Sequence, residues 1–182
     1  PFLALAINLA FACSLRMGEL LGLTWSCVDI SQDSIDHDCA YIYIDKELQR
    51  ISRESLAQIG EKGIMFKFPT MRGCNSTVLA LKEPKTKTSV RKVFLPRAVA
   101  EMLVERRKTI EELKELLGDE YRDYDLVFAS TQGTPTEANY INRAFDKLIT
   151  ENNLPKVVFH SLRHTSTTYK LKLSGGDIKA VE

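Results

Sequence analysis

The chain has 182 residues, 44% of them hydrophobic, and a formal net charge of +1. That size suits one globular domain with a single sizeable core. No apolar run is long enough to span a bilayer, no C-x-x-C pair marks a zinc knuckle or a disulfide framework, and a near-neutral charge does not by itself announce a nucleic-acid binder.

The opening stretch, Pro1 to Ala12, is apolar but lacks the basic flank and small-residue cleavage site of a signal peptide, so it reads as a core helix. Because the chain begins inside this pattern with neither Met nor a capping residue, a further domain is expected upstream. Leu3, Leu5, Ala6, Leu9 and Ala10 continue through Leu20 and Leu23 at helical spacing, which puts Arg16 near the end of a helix with a buried face. Cys13, Cys27, Cys39 and Cys74 are scattered, which fits reduced thiols in a cytoplasmic protein. His37 and Cys39 supply at most two metal ligands, so no metal or other cofactor is expected.

Tyr41 to Asp45 alternates around Ile42 and Ile44 as a strand does, and Thr77 to Leu81 and Val90 to Leu95 read as two more strands. These make residues 31–95 a sheet region. Residues 49–74, with Gly60, Gly63, Pro69 and Gly73, have no strong period and read as a long excursion from the sheet. Between the last two strands lies a polar turn, Glu83 to Ser89. Lys82, Lys85, Lys87, Arg91, Lys92 and Arg97 cluster around it, a basic strip able to follow a phosphate backbone or simply to solvate a hairpin tip.

After Pro96, Val99, Met102, Leu103, Ile110, Leu113 and Leu117 trace the apolar stripe of a long charged helix ended by Gly118. Asp125 to Ala129 is a strand or a buried extended piece. Thr134-Pro135-Thr136-Glu137 has the form of a capping box with Pro at the first helical position, and Ile141, Phe145, Leu148 and Ile149 give that helix its buried face. The whole predicts an α+β fold, mostly helical, with a small antiparallel three-stranded sheet on one side.

Two segments carry the chemistry. Leu15-Arg16-Met17-Gly18-Glu19-Leu20 near the start and His160-Ser161-Leu162-Arg163-His164 near the end each supply an arginine, the second beside histidines. A guanidinium stays charged and offers paired donors that fit two phosphate oxygens, so two of them from distant segments suit a phosphodiester held in one orientation.

Cys13-Ser14-Leu15-Arg16-Met17-Gly18-Glu19-Leu20-Leu21-Gly22-Leu23-Thr24-Trp25, followed by Val28-Asp29, resembles the first arginine box of the tyrosine recombinases, the phage integrase family. Pro84 to Val93 resembles the lysine hairpin of that family, and His160 to Thr165 its H-x-L-R-H-T box. The three stand in the right order and span nearly the whole chain.

The resemblance implies DNA strand cleavage and rejoining through a 3′-phosphotyrosyl intermediate, without metal or ATP, for integration or excision of a mobile element. It implies that Arg16 and Arg163 clamp the non-bridging oxygens, that His160 positions the phosphate and shuttles the nucleophile's proton, and that Lys85 protonates the leaving 5′-oxygen. Lys87 is the alternative lysine, and Lys87, Thr88, Arg91 and His164 are candidate DNA contacts. Glu19 is read as a buttress for the Arg16 segment. The implied partners are double-stranded DNA and further recombinase protomers, in a tetramer for the full-length protein, with no membrane.

The family's nucleophilic Tyr lies beyond a further His or Trp motif, and the chain stops at Glu182 before either. Tyr169, in the helical pattern Thr165 to Leu173, is read as packed rather than reactive. The expectation is therefore an incomplete catalytic domain, monomeric and unable to cleave. Other readings stay open: a DNA-binding or interaction fragment, a type IB topoisomerase-like enzyme, or a helical domain with coincidental motifs, in which Arg16, Lys85, His160 and Arg163 would not converge.

Overall fold

The computed structural model describes residues 1–69 and 76–173. Helix α1, Phe2–Ala12, runs into a short α2, Met17–Leu21; β1 (Val28–Asp29), α3 (Gln32–Asp36) and β2 (Tyr41–Ile44) follow. Next come β3 (Glu47–Ser52), α4 (Arg53–Ile59), β4 (Ile64–Lys67), β5 (Thr77–Lys82) and β6 (Arg91–Phe94). The rest is helical: α5 (Arg97–Leu117), α6 (Ala138–Glu151) and α7 (Ser161–Leu173). The α+β class holds, and among the described residues no helix is long and apolar enough to cross a membrane.

One continuous core joins the helices to the inner face of the sheet. Leu5 and Leu9 of α1, Ile42 and Ile44 of β2, Leu103 and Ile110 of α5 and Ile141 of α6 are all buried in it. The segment Leu126–Ala129 is the buried extended piece anticipated from its apolar run: it forms single bridges through Leu126 to Thr24 and through Ala129 to Pro135. Arg106 of α5 satisfies two carbonyls of this segment, donating from Nε to Val127 at 3.0 Å and from Nη2 to Ala129 at 2.6 Å. Burial of backbone that has no full ladder is thereby offset.

The strands expected as neighbours divide between two antiparallel sheets, β1-β2-β6 and β3-β5-β4. The reason lies in the pairing. Ile44 of β2 faces Arg91 of β6, and Glu47 of β3 faces Lys82 of β5. Only residues 45–46 lie between the two ladders on one side, whereas residues 83–90 lie between them on the other. Both strands therefore continue from one sheet to the next, and the surplus on the second side, the basic turn with Lys85, must leave the ladder. The excursion from Gln49 also carries structure of its own, since β3 and β4, joined by α4, both pair with β5 to make the second sheet. Residues 70–74 of it, Cys74 included, lie outside the described residues, as does everything after Leu173.

Two boundaries differ from the sequence reading. The first helical pattern is broken after Ala12, because Ser14 takes a positive φ of 52° that no right-handed helix can continue. Arg16 consequently sits not near a helix end but at the cap before α2, in extended backbone. Helix α6 begins at Ala138 rather than beside Thr134. Thr134 is committed elsewhere: its carbonyl accepts from Ser130 N at 2.7 Å, its hydroxyl lies 2.8 Å from Ser130 Oγ, and Pro135 bridges to Ala129. That tight turn withdraws the residues a capping box needs.

Candidate active site

Glu19 is the centre of the site. It lies in α2 with 1% of its surface exposed, and its carboxylate gathers three arginines from three parts of the chain. Arg16 donates to it twice, from the backbone N to Oε2 at 2.9 Å and from Nη1 to Oε1 at 2.8 Å. Arg91, at the start of β6, closes a two-point fork on it, with Nη1 to Oε1 at 3.2 Å and Nη2 to Oε2 at 3.1 Å. Arg163, in the first turn of α7, brings Nη1 to 3.7 Å from Oε2. The two arginines anticipated as a pair thus meet on one carboxylate, which the coincidental-motif reading did not expect.

Local sequence explains how the carboxylate comes to be there. The bond from Arg16 N places Glu19 as the acidic half of a helix-start box, so its side chain folds back toward the turn from which Arg16 springs. Gly22, one turn on, lets β3 lie directly on α2. A Cβ there would stand 2.7 Å from Leu48 N and 2.9 Å from the Glu47 carbonyl carbon. The glycine of the first box is required by this close approach of backbone.

Electrostatics follow from the count of charges. Burial pushes the Glu19 carboxyl up, but the bonds from Arg91 and Arg16 outweigh it and hold its pKa below the ordinary value, so it is ionised at neutral pH. Three guanidinium groups against one carboxylate leave a surplus of positive charge in a partly buried place. Burial first, and then the like charge of Arg16, lowers the pKa of Arg163, as expected where guanidinium groups crowd. A phosphate diester is the kind of anion that relieves this surplus, because its two free oxygens accept from paired N–H donors.

The basic turn is tied to the cluster. Arg16 Nη1 donates to Ser89 Oγ at 3.3 Å and Arg91 Nη1 to the Ser89 carbonyl at 2.8 Å. Ser89 Oγ in turn lies 2.9 Å from the Thr86 hydroxyl, which lies 3.1 Å from that of Thr88. Lys85 is exposed in this turn, and the Lys87 side chain lies outside the described parts. His160 and His164 are both exposed at the start of α7, with their rings edge to face and 4.8 Å apart. Tyr169, expected to be packed, is instead 54% exposed, its ring 6.3 Å from that of Phe11. Sequence reasoning assigned no role to Ser14 and Ser89, which accept hydrogen bonds from Arg163 and from Arg16 and Arg91, or to Ser166 and Lys170, which bond to Ser14; serines and a helix-face lysine carry little motif signal.

The fold and this cluster define a mainly helical α+β domain built around one buried carboxylate and a surplus of guanidinium charge. Residues 71–182 match the phage integrase family, and the chain belongs to that family, the tyrosine recombinases. A protein named "Tyrosine recombinase XerC-like", from Caldanaerobacter subterraneus subsp. tengcongensis, is 31% identical to it over 176 residues, which cover 95% of this chain and 39% of that relative. The chain therefore spans about two fifths of the length of the curated relative it matches.

Proposed function

We propose that this chain is the arginine-bearing part of the catalytic region of a site-specific DNA recombinase, one that cleaves and rejoins strands through a 3′-phosphotyrosyl intermediate to integrate or excise a mobile element. The observation that carries this reading is the meeting of Arg16 and Arg163, from opposite ends of the chain, on buried Glu19. Family membership and the relative's printed name support it.

In this reading Arg16 and Arg163 hold the non-bridging oxygens of the scissile phosphate. Their charge is worth most as the attacking tyrosine oxygen adds and negative charge builds on those oxygens, because the donors are already in place and need no reorganisation. His160 takes the tyrosine proton and helps seat the phosphate. Lys85 gives a proton to the departing 5′-oxygen; a lysine can release one where arginine cannot. Lys87 is the alternative donor. Thr88, Arg91, His164 and Lys87 are the candidate DNA contacts, and double-stranded DNA and further protomers of a tetramer are the proposed partners.

The test is covalent trapping with the full-length protein on nicked DNA from its element's ends, scored as an adduct that survives denaturation. Wild type is expected to form the adduct, and Arg16→Ala and Arg163→Ala to lose it by about three orders of magnitude, as when donors to a developing oxyanion are removed. Of Lys85→Ala and Lys87→Ala, the former is expected to show the loss that a leaving group of low pKa restores. DNA bound by wild type with no adduct would leave a DNA-binding module in place of a recombinase.

A further inference from the structure

Helix α7, which carries Arg163, is docked in an unusual way. Among its described residues one alone is fully buried, and that one is Ser166. An ordinary surface helix settles its position by burying an apolar stripe. Here Leu162 is partly buried against the core, and the ring of Tyr169 stands 54% exposed. Apolar anchoring is confined largely to its start, through Phe159 and Leu162, and to the Tyr169 ring beside Phe11, so polar contacts share in setting the register of α7, and with it the place of Arg163.

Those contacts converge on one residue. Arg163, Ser166 and Lys170 stand at helical spacings of three and four, on one face of α7. Arg163 Nη1 donates to the Ser14 carbonyl at 2.6 Å, Ser166 Oγ lies 2.9 Å from Ser14 Oγ, and Lys170 Nζ donates to Ser14 Oγ at 3.3 Å. Lys170 also donates to the Ala12 carbonyl at 2.8 Å, one of the carbonyls left open where α1 ends. Ser14 is the residue whose positive φ separates α1 from α2, two positions before Arg16. The same turn thus launches one arginine and receives the other.

We propose that Ser14, Ser166 and Lys170 are positioning residues that register α7 against the α1–α2 turn and so hold Arg163 at the Glu19 carboxylate beside Arg16. Their role is to act through Arg163 rather than on the phosphate. The proposal rests on the recombinase reading above for its catalytic consequence, though not for the docking itself. Charge-assisted donation from a part-buried ammonium is strong enough to fix such a register, and a serine pair adds direction without adding bulk.

The experiment compares full-length wild type with Lys170→Met, which keeps the stem and removes the ammonium, with Lys170→Arg, which restores a cation, and with Ser166→Ala. Three quantities are measured: the rate of covalent adduct on nicked cognate DNA, the Kd for that DNA, and amide hydrogen exchange across residues 161–173. Lys170→Met is expected to slow the adduct at least tenfold with Kd changed less than twofold, and to speed exchange in α7. Lys170→Arg is expected to recover most of the rate, and Ser166→Ala to show a milder version of the same split. An adduct rate in Lys170→Met equal to wild type, or a loss that merely follows weaker DNA binding in both variants, overturns the proposal. If wild type itself forms no adduct, the recombinase reading fails instead. Exchange in α7 then decides the docking alone, faster exchange in the variants upholding it and unchanged exchange overturning it.

Discussion

Glu19 shows how much one residue carries when its surroundings withhold water. A carboxylate with 1% exposure is tolerable only because its oxygens accept from Arg16 and Arg91 and stand within an ion-pair distance of Arg163. Buried charge of this kind is a weak source of net stability, yet removing one partner is severe, because what remains is uncompensated. Glu19→Gln is therefore expected to cost about 3 kcal/mol, seen as a lower urea midpoint with an unchanged slope. On the proposed recombinase reading, adduct formation by the full-length protein should fall as well, since Arg16 and Arg163 lose the charge that aims them. A variant as stable as wild type would remove Glu19 from the centre of the site. The reading of Glu19 as a buttress rested on its place in the first box; that it also receives Arg91 was not legible, because nothing local in the segment around Arg91 singles out that one of its many cations.

At the scale of elements, the decisive contact is α2 against β3. Gly22→Ala would put a methyl 2.7 Å from Leu48 N, against backbone that cannot swing aside as a flexible side chain would. The expected loss is about 2 kcal/mol, measurable by thermal or urea denaturation, and on the proposed recombinase reading adduct formation falls further than stability because β3 and the Glu19 helix must part. Gly60→Ala is an instructive control: its added Cβ meets nothing within 4 Å, so its cost comes from the backbone alone, at a φ of 66°. The long helix ending at Gly118 was legible because periodicity and a terminating glycine agree. The start of α6 was not, because Thr134 and Pro135 carry the residue types of a cap while their hydrogen bonds serve the turn at Ser130.

For the whole molecule, pH dependence has two limbs with opposite signs. Glu19 has a folded pKa below its ordinary value, so the stability it contributes is fully present above the ordinary carboxylate range and is lost as pH falls through the folded value. The advantage of wild type over Glu19→Gln, measured by urea denaturation at pH 7 and again at pH 3, is expected to shrink at the lower pH. Cys13 is the reverse case: burial pushes its thiol up from 9.0 to about 12, so stability is present below 9.0 and is lost as pH rises toward 12, where the unfolded thiol ionises and the folded one does not. Cys13→Ala should flatten that alkaline limb; a limb of unchanged steepness would assign it to another group. By itself the sequence determined the α+β class, the family resemblance and the two arginine boxes, because hydrophobic period and short motifs are local properties of the chain. Tertiary structure alone decided that the expected single sheet is two, that Arg91 joins Arg16 and Arg163 at Glu19, and that Arg163, Ser166 and Lys170 all bond to Ser14. Those facts depend on which distant segments lie within hydrogen-bond reach, and reach is set by how α7 and β6 pack against the α1–α2 turn rather than by spacing along the chain.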